Sequence, residues 1–326
     1  MDYVIAVIIS TKDRSEAIER YAMAGLERSS FRDFVCVVWD ASEDELTRCA
    51  IENHRWGFEV HYFKASRKGS ASQRNDAVKH VISTLPGIRY IVFIDDDSEL
   101  SEDALAGVAE SFRESCAQIV NIRRKPMNPF SFRCRTVLAL KRLFRMNRHG
   151  VTSFLYNYGG EDEPAGCEAE WAGGGGMGVN VSVFRDMGVF FPEEFQRFGG
   201  YALGEDLAFS FYVSKVLGGR VITSLYGHYL HYAVGSQRLD IKNMAASKWY
   251  NFHLLFDVIY GEIGQDKAPK MRFNLFMLAA ALKLLVRARS LDILSILHGI
   301  SEAHYAYRQH RSKSDIRSLM RAQMEE

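Results

Sequence analysis

Short runs of apolar residues alternate with amphipathic stretches over the first hundred positions of the chain. The runs are rich in β-branched side chains, which is typical of strands buried on both faces of a parallel sheet. The stretches between them carry apolar residues at helical spacing. The pattern predicts strands at 4–9, 34–39, 58–63 and 90–94, and helices at 16–28, 43–54, 72–83 and 101–112.

This alternation predicts an α/β fold with a mostly parallel sheet flanked by helices. In such sheets, ligands bind beyond the carboxyl ends of the strands. Polar residues follow three of the predicted strands at that point, namely Thr11, Asp40 and the triplet Asp95-Asp96-Asp97. Their convergence is the first indication of a functional site. Ser101 is expected to cap the helix that follows the triplet.

Beyond about residue 240 the chain becomes mostly helical and more basic. We predict a sheet domain at 1–235 and a C-terminal helical region at 236–326. The segment 273–286 is apolar nearly all round, so as a helix it should pack against the core, a partner subunit or a lipid surface. Asn274 and Lys283 interrupt it, and a helix that spans a membrane is not expected.

Composition adds limits on the class of protein. The 326 residues carry a formal net charge of +1, which does not favour nucleic acid as a partner. The five cysteines form no CxxC pair, so neither a disulfide framework nor a zinc site is indicated. A cytoplasmic protein without a signal peptide fits best. The segment 121–150 holds nine Lys or Arg and no acid, which favours contact with an anionic acceptor or acidic lipids at a membrane surface.

The aspartate triplet directly follows five apolar residues. Alternation at the end of a strand points Asp95 and Asp97 to the same side. Two carboxylates on one side can share Mn²⁺ or Mg²⁺, which prefer oxygen ligands and accept substrate phosphates. The alternative is a solvated loop in which one aspartate caps the next helix.

A second acidic motif, Glu205-Asp206, precedes a predicted helix about 110 residues later in the chain. Acids are expected there simply because they suit the helix dipole. The functional interpretation is a carboxylate that takes a proton from an acceptor hydroxyl. Such a base has to be separate from the cation site, and the second motif meets that requirement.

Five short motifs occur together, and each of them alone is weak. They are residues 7–11 (VIIST), 37–42 (VVWDAS), 72–77 (SQRNDA), 93–97 (FIDDD) and 204–206 (GED). In this order and spacing the chain, over residues 3–235, resembles the family 2 glycosyltransferases of the Rossmann-like GT-A fold. The resemblance implies an inverting enzyme that uses a nucleotide-sugar, with UDP as the favoured nucleotide.

The resemblance also implies roles for single residues. Thr11 and Asp40 would contact the nucleoside, and Arg74 would approach the phosphates. Asp95 and Asp96 would contribute to donor binding. Asp97 would be the main metal ligand, joined by Asp95. Asp206 would be the catalytic base, with Glu205 supporting it or binding acceptor.

Two further features stay open at this stage. The segment 171–180, which contains the run Gly173–Gly176, resembles a segment that borders the donor sugar in this family, although a flexible loop without specific contacts would look the same. His228 and His231 lie near the end of the predicted domain, and some enzymes of this fold use a histidine there as an additional metal ligand. We favour His231 over His228.

The sequence thus predicts a hexosyltransferase that moves a sugar to a hydroxyl of a saccharide or lipid-linked acceptor, as a monomer or a homo-oligomer. Two alternatives are kept. A sugar-nucleotide nucleotidyltransferase would normally need glycines in residues 10–14, which have none. A non-catalytic scaffold that binds nucleotide-sugars would not require the complete set of acids.

Overall fold

The computed structural model describes most of the chain. The described residues are 4–125, 150–151, 157–158, 164–199, 202–234, 240–261, 270–271, 273–275, 277–278, 281–282, 292–311 and 319–320. Most of the predicted cationic segment, 126–149, lies outside them. The described residues form a mixed α/β fold with a central sheet flanked by helices and a C-terminal helical region, as the pattern predicts.

The sheet has nine strands, and two short strands pair separately. The strands are β1 (Ile5–Thr11), β2 (Phe34–Asp40), β3 (Glu59–Lys64), β4 (Tyr90–Asp95), β5 (Ser98–Leu100), β6 (Ile119–Arg124), β7 (Gly150–Val151), β8 (Asn157–Tyr158), β9 (Glu168–Ala169), β10 (Gly176–Asn180) and β11 (Val221–His231). The sheet order is β3-β2-β1-β4-β10-β6-β11-β5, with β9 added beside β11. Strands β7 and β8 form the separate pair.

Helices connect and cover these strands. They are α1 (Ser15–Ala17), α2 (Ala24–Glu27), α3 (Leu46–Glu52), α4 (Ser70–Thr84), α5 (Ala104–Ser115), α6 (Ser182–Arg185), α7 (Glu205–Phe211), α8 (Ile241–Tyr260) and α9 (Asp292–Arg311). Two π-helical stretches, Ile18–Met23 and Tyr212–Val216, and a 3₁₀ turn, Glu193–Gln196, complete the list.

Strands β3, β2, β1 and β4 are parallel, as expected for strands joined by helices. Strand β10 then enters antiparallel between β4 and β6, so the second half of the sheet is mixed. Side chains of β1 alternate between two buried clusters. Ala6 and Ile8 belong to one, and Ile5, Val7 and Ile9 to the other. Burying each of the larger side chains contributes about 1.5–3 kcal/mol relative to exposure.

The structure corrects the expected cap at Ser101. Helix α5 begins at Ala104, after Asp103. The backbone and side chain of Ser101 are instead used by β11: its N–H donates to the carbonyl of His228 at 2.9 Å, and its Oγ accepts from the N–H of His228 at 2.9 Å. The reason is β5, a three-residue strand that the apolar pattern does not predict and that pairs antiparallel with β11.

The C-terminal helices pack on the sheet domain. Tyr250 and Leu254 of α8 belong to the same buried cluster as Ile8, and Tyr307 of α9 donates a 2.6 Å hydrogen bond to Asp257. No helix within the described ranges has both the length and the hydropathy needed to cross a bilayer. The division at residue 235 falls between β11 and α8 and stays a prediction.

The described positions between 270 and 282 are helical and have two different faces. Phe273 and Met277 are buried and belong to the main cluster. Four large apolar side chains lie exposed at spacings of four, three and four residues, namely Met271, Leu275, Leu278 and Leu282. Packing against the core therefore accounts for one face of this apolar segment only.

Candidate active site

The polar ends of three strands lie side by side at one edge of the sheet. Thr11 is paired with Asp40 across β1 and β2, and Ser10 is paired with Asp95 across β1 and β4. Gln73 of α4 connects β1 and β2 at this edge, because its Nε2 donates to the carbonyls of Thr11 and Trp39 at 2.9 Å each. The predicted convergence of these residues is therefore present in the fold.

Asp40 is buried and held in one orientation. Its Oδ1 accepts from the backbone N–H of Ser42 at 2.8 Å and from the Ser42 hydroxyl at 2.5 Å. Its Oδ2 accepts from the hydroxyl of Tyr62 at 2.7 Å. Burial and this hydrogen bond raise the pKa of Tyr62, which therefore remains a donor to Asp40 at neutral pH.

Asp96 and Asp97 form the two-residue turn between β4 and β5. Asp96 points toward β1, where its Oδ2 accepts from Thr11 Oγ1 at 2.7 Å and its Oδ1 accepts from Arg14 at 2.5 Å. Burial raises the pKa of Asp96 to about 7, against the opposing effect of Arg14. Thr11 and Asp96 thus contact each other directly.

Asp97 is buried and uses its two oxygens differently. Oδ2 accepts from Arg14 Nη2 at 3.1 Å and from the N–H of Val234 at 3.0 Å. Oδ1 lies 3.2 Å from His231 Nε2 and has no hydrogen bond of good geometry from any described residue. Burial alone would raise the pKa of Asp97, but His231, Arg14 and the Val234 N–H together lower it.

Asp95, Asp97 and His231 form a group that could hold a metal ion. One ligand atom from each lies within 4.8 Å of the others, and His231 Nε2 is 3.8 Å from Asp95 Oδ2. The buried Oδ1 of Asp97 faces this group. Carboxylate oxygens suit Mn²⁺ and Mg²⁺, and Mn²⁺ also accepts an imidazole nitrogen. His228 is not in this group.

Arg74 of α4 connects the first acidic motif with the second. Its side chain is buried, with Nη2 3.1 Å from Asp95 Oδ1 and Nη1 2.7 Å from Glu205 Oε1. The guanidinium also lies over the ring of Phe191, 5.4 Å from its centroid. Glu205 is the first residue of α7, and Arg74 lies in the second turn of α4, which begins at Ser70.

Glu205 and Asp206 face the site in different ways. Glu205 is buried, and burial together with the charge of Asp206 raises its pKa to about 8, against the opposing effect of Arg74. Asp206 is partly exposed, and its Oδ2 accepts from the N–H of Gly174 at 2.8 Å. Only Asp206 of this pair is therefore accessible to solvent.

The glycine run makes specific contacts, so the interpretation as a loop without them is wrong. Gly176 begins β10, and the N–H of Gly173 donates to Asn121 Oδ1 at 3.3 Å. A Cβ at Gly174 would lie 2.8–3.0 Å from the guanidinium atoms of Arg74. A Cβ at Gly175 would lie 2.9 Å from Asp95 Oδ2. These glycines let the backbone approach the charged side chains closely.

Sequence reasoning missed Arg14 as a member of this site. It was seen only as part of a loop without glycines, and no local pattern marks it out. Its partners, Asp96 and Asp97, are 82 and 83 positions away in the chain. Only the pairing of β1 with β4 brings them together.

The amino-acid sequence of residues 6–160 matches the family described as Glycosyl transferase family 2. These residues form a glycosyltransferase family 2 domain. This match covers the strands that carry Thr11, Asp40 and the aspartate triplet. A comparison with curated proteins gives no match.

Solved structures with the same fold share little sequence with this glycosyltransferase. A crystal structure of S. aureus TarS 1–349 in complex with UDP-GlcNAc superposes with a TM-score of 0.58 at 14% identity, over 93% of this chain and 81% of that one. The mannosyltransferase PcManGT from Pyrobaculum calidifontis, in complex with GDP-Man and Mn²⁺, gives 0.52 at 16% identity, over 97% and 84%. GalNAc-T7 with UDP, GalNAc and Mn²⁺ gives 0.53 at 11%, over 87% and 58%. The glycosyltransferase therefore has the GT-A fold.

Proposed function

We propose that this glycosyltransferase moves a sugar from a UDP-sugar to a hydroxyl group with inversion at the anomeric carbon. The observation that carries the proposal is a continuous series of contacts at one edge of the sheet. It runs from Asp97 through His231 to Asp95, and from Asp95 through Arg74 to Glu205. Asp206, next to Glu205, is the partly exposed carboxylate at the end of the series.

Asp95, Asp97 and His231 are proposed to hold Mn²⁺ or Mg²⁺. The buried Oδ1 of Asp97 and the close grouping of the three ligand atoms support this assignment. A bound cation would neutralise charge that develops on the diphosphate as the nucleotide leaves. Two structures of the same fold, PcManGT and GalNAc-T7, are described with Mn²⁺.

Thr11, Asp40, Arg74 and Asp96 are proposed to bind the donor. Asp40 lies beside the last residue of β1 and accepts hydrogen bonds from Ser42 and Tyr62. A fixed orientation of this kind is expected of a residue that binds a nucleoside. Arg74 offers a planar fork of donors that suits phosphate oxygens. UDP remains our preferred nucleotide, as in the TarS complex, and GDP is the alternative, as in the PcManGT complex.

Asp206 is proposed as the general base. In the reaction, the acceptor oxygen forms a bond to the anomeric carbon while the bond from that carbon to the nucleotide phosphate breaks. The proton of the acceptor hydroxyl passes to Asp206, and UDP leaves. Glu205, buried against Arg74, would position this part of α7 rather than take the proton.

We further propose that the acceptor is a saccharide or a lipid-linked molecule. We also propose that the protein lies at the surface of an acidic membrane. The exposed stripe of Met271, Leu275, Leu278 and Leu282 supports membrane contact. Residues 267–291 also contain six Lys or Arg and no acid. Apolar side chains among cations fit an anionic lipid surface, whereas two copies of such a segment would repel each other.

The test is an assay of UDP- and GDP-sugars with and without Mn²⁺, in which release of the nucleotide and transfer to acceptors are both measured. We expect metal-dependent transfer from a UDP-sugar, with the product in the inverted configuration. Asp206→Asn should abolish transfer and retain binding of UDP with Mn²⁺, because the base does not contact the nucleotide. Full activity of Asp206→Asn would remove Asp206 from this role, and binding without any turnover in the wild type would favour a scaffold.

A further inference from the structure

Arg14 joins two turns that border the group of Asp95, Asp97 and His231. It lies after β1, at the start of the first helical segment. Its Nη1 donates to Asp96 Oδ1 at 2.5 Å and its Nη2 to Asp97 Oδ2 at 3.1 Å. Nη2 also donates to the carbonyl of Val234. One side chain thus holds both the turn after β4 and the residues that follow β11.

The residues that follow β11 form two hydrogen bonds with Asp97 through their backbone N–H groups. The N–H of Tyr232 donates to the backbone carbonyl of Asp97 at 3.0 Å, and the N–H of Val234 donates to its Oδ2 at 3.0 Å. Between them, Ala233 has φ = +50°, a left-handed conformation that a residue with a Cβ rarely adopts. Such a turn persists only when its surroundings hold it. Arg14 is one of those restraints, through the Val234 carbonyl.

These contacts determine which oxygen of Asp97 faces His231. Oδ2 is occupied by Arg14 and by the Val234 N–H, so Oδ1 is the oxygen that lies 3.2 Å from His231 Nε2. His231 itself is two residues before the left-handed turn at Ala233. We propose that Arg14 is a positioning residue that orients Asp97 and His231 toward a shared divalent cation. This inference rests on the cation site proposed above.

Arg14 has two opposite effects on a cation. Its positive charge, close to Asp96 and Asp97, repels a metal ion. Its hydrogen bonds fix the ligand geometry, and partners of this kind are worth about 10- to 100-fold in metal affinity. Orientation should dominate, because the guanidinium bonds to Asp96 and to Oδ2 of Asp97, whereas His231 lies against Oδ1 of Asp97. Removing Arg14 is therefore expected to weaken metal binding although it removes a positive charge.

The experiment measures the Kd of Mn²⁺, alone and with UDP, by electron paramagnetic resonance of the free ion in the full-length protein. Arg14→Met and Arg14→Lys should both weaken binding by about 10- to 100-fold. Lysine keeps the charge but lacks the planar fork that bridges two carboxylates. Weak Mn²⁺ binding by Arg14→Lys would therefore identify orientation as the cause. The matched control is Arg20→Met, an exposed arginine of the same helical segment, which should bind Mn²⁺ like the wild type.

A double variant separates positioning from simple charge balance. Arg14→Met leaves the buried Asp96 carboxylate without its cation, and adding Asp96→Asn should restore the melting temperature. If Mn²⁺ affinity stays weak in this double variant, Arg14 acts through Asp97. If Mn²⁺ affinity returns to the wild-type value, Arg14 only neutralises Asp96 and the proposal is overturned.

Asp97→Asn shows which of the two proposals fails. If Asp97→Asn binds Mn²⁺ as tightly as the wild type, the cation site itself is wrong and the role of Arg14 falls with it. If Asp97→Asn loses Mn²⁺ while both Arg14 variants bind it normally, the cation site stands and only the role of Arg14 is rejected.

Discussion

Arg74 Nη1 donates a 2.7 Å hydrogen bond to Oε1 of Glu205, although 131 positions separate the two residues in the chain. The other nitrogen of the same guanidinium reaches Asp95 at 3.1 Å. The group proposed to bind the cation and the motif proposed to activate the acceptor are therefore connected through one buried side chain. Changes next to Arg74 should affect both halves of the site.

Gly174→Ala is the first test of this connection. The new Cβ would lie 2.8–3.0 Å from the guanidinium of Arg74 and would force it to move. We expect kcat/KM to fall by about 100-fold, the size of effect that a displacement of about 1 Å can have on a reacting group. Gly173→Ala is the matched control, because its Cβ would have no neighbour closer than 3.7 Å. Equal kinetics in the two variants would contradict the expectation.

The two histidines near the end of β11 provide a second test. His231→Ala removes a group that lies 3.2 Å from Asp97, and it should weaken Mn²⁺ binding by at least about tenfold. His228→Ala should leave Mn²⁺ binding unchanged, because His228 is not in the group of close ligand atoms. Titration calorimetry with Mn²⁺ and UDP measures both values. A loss of Mn²⁺ affinity in His228→Ala with none in His231→Ala would show that His228, and not His231, is the metal ligand.

The pH dependence of stability should report on Glu205. Burial raises its pKa to about 8 in the folded protein from an ordinary value of 4.5. Between these values the folded state retains a proton that the unfolded chain has released. The free energy of unfolding therefore decreases as pH rises through this window. Glu205→Gln should remove this contribution, so that its stability depends less on pH between about 5 and 8.

Urea denaturation at several pH values measures this slope for the wild type and the variant. Glu52→Gln, which changes an exposed glutamate of α3, is the control and should keep the wild-type slope. An unchanged slope in Glu205→Gln would show that Glu205 is ionised throughout this range in the folded protein.

The apolar stripe predicts binding to vesicles. Leu275→Glu with Leu278→Glu places two negative charges on the exposed face and should abolish co-sedimentation with vesicles of anionic lipid. Leu46→Glu is the control, since Leu46 is also well exposed, at 61%, but lies on α3 in the sheet domain. Failure of the wild-type protein to bind anionic vesicles would reject membrane contact, and a shift to monomer in the double variant alone would assign the stripe to an oligomer interface.

Much of the fold follows from local sequence. The apolar runs predict β1, β2 and β4 because a strand buried on both faces needs consecutive apolar residues. The polar residues that end these runs necessarily lie at one edge, since parallel strands share their direction. Strand β5 was missed because three residues, Ser98–Leu100, carry no periodicity, and the start of α5 at Ala104 was missed with it.

The sequence by itself determined which residue types are available for chemistry and that Thr11, Asp40 and Asp95 would lie at one edge of the sheet, because each follows a strand of a predicted parallel sheet. Only the tertiary structure decided that His231 rather than His228 faces Asp97, that Gly174 leaves no room for a Cβ beside Arg74, and that Arg14 bonds to Asp96 and Asp97. These contacts join residues 82 or more positions apart, or depend on the side of a strand to which a side chain points. No local pattern encodes such pairings, because they are fixed only when separate elements pack against each other.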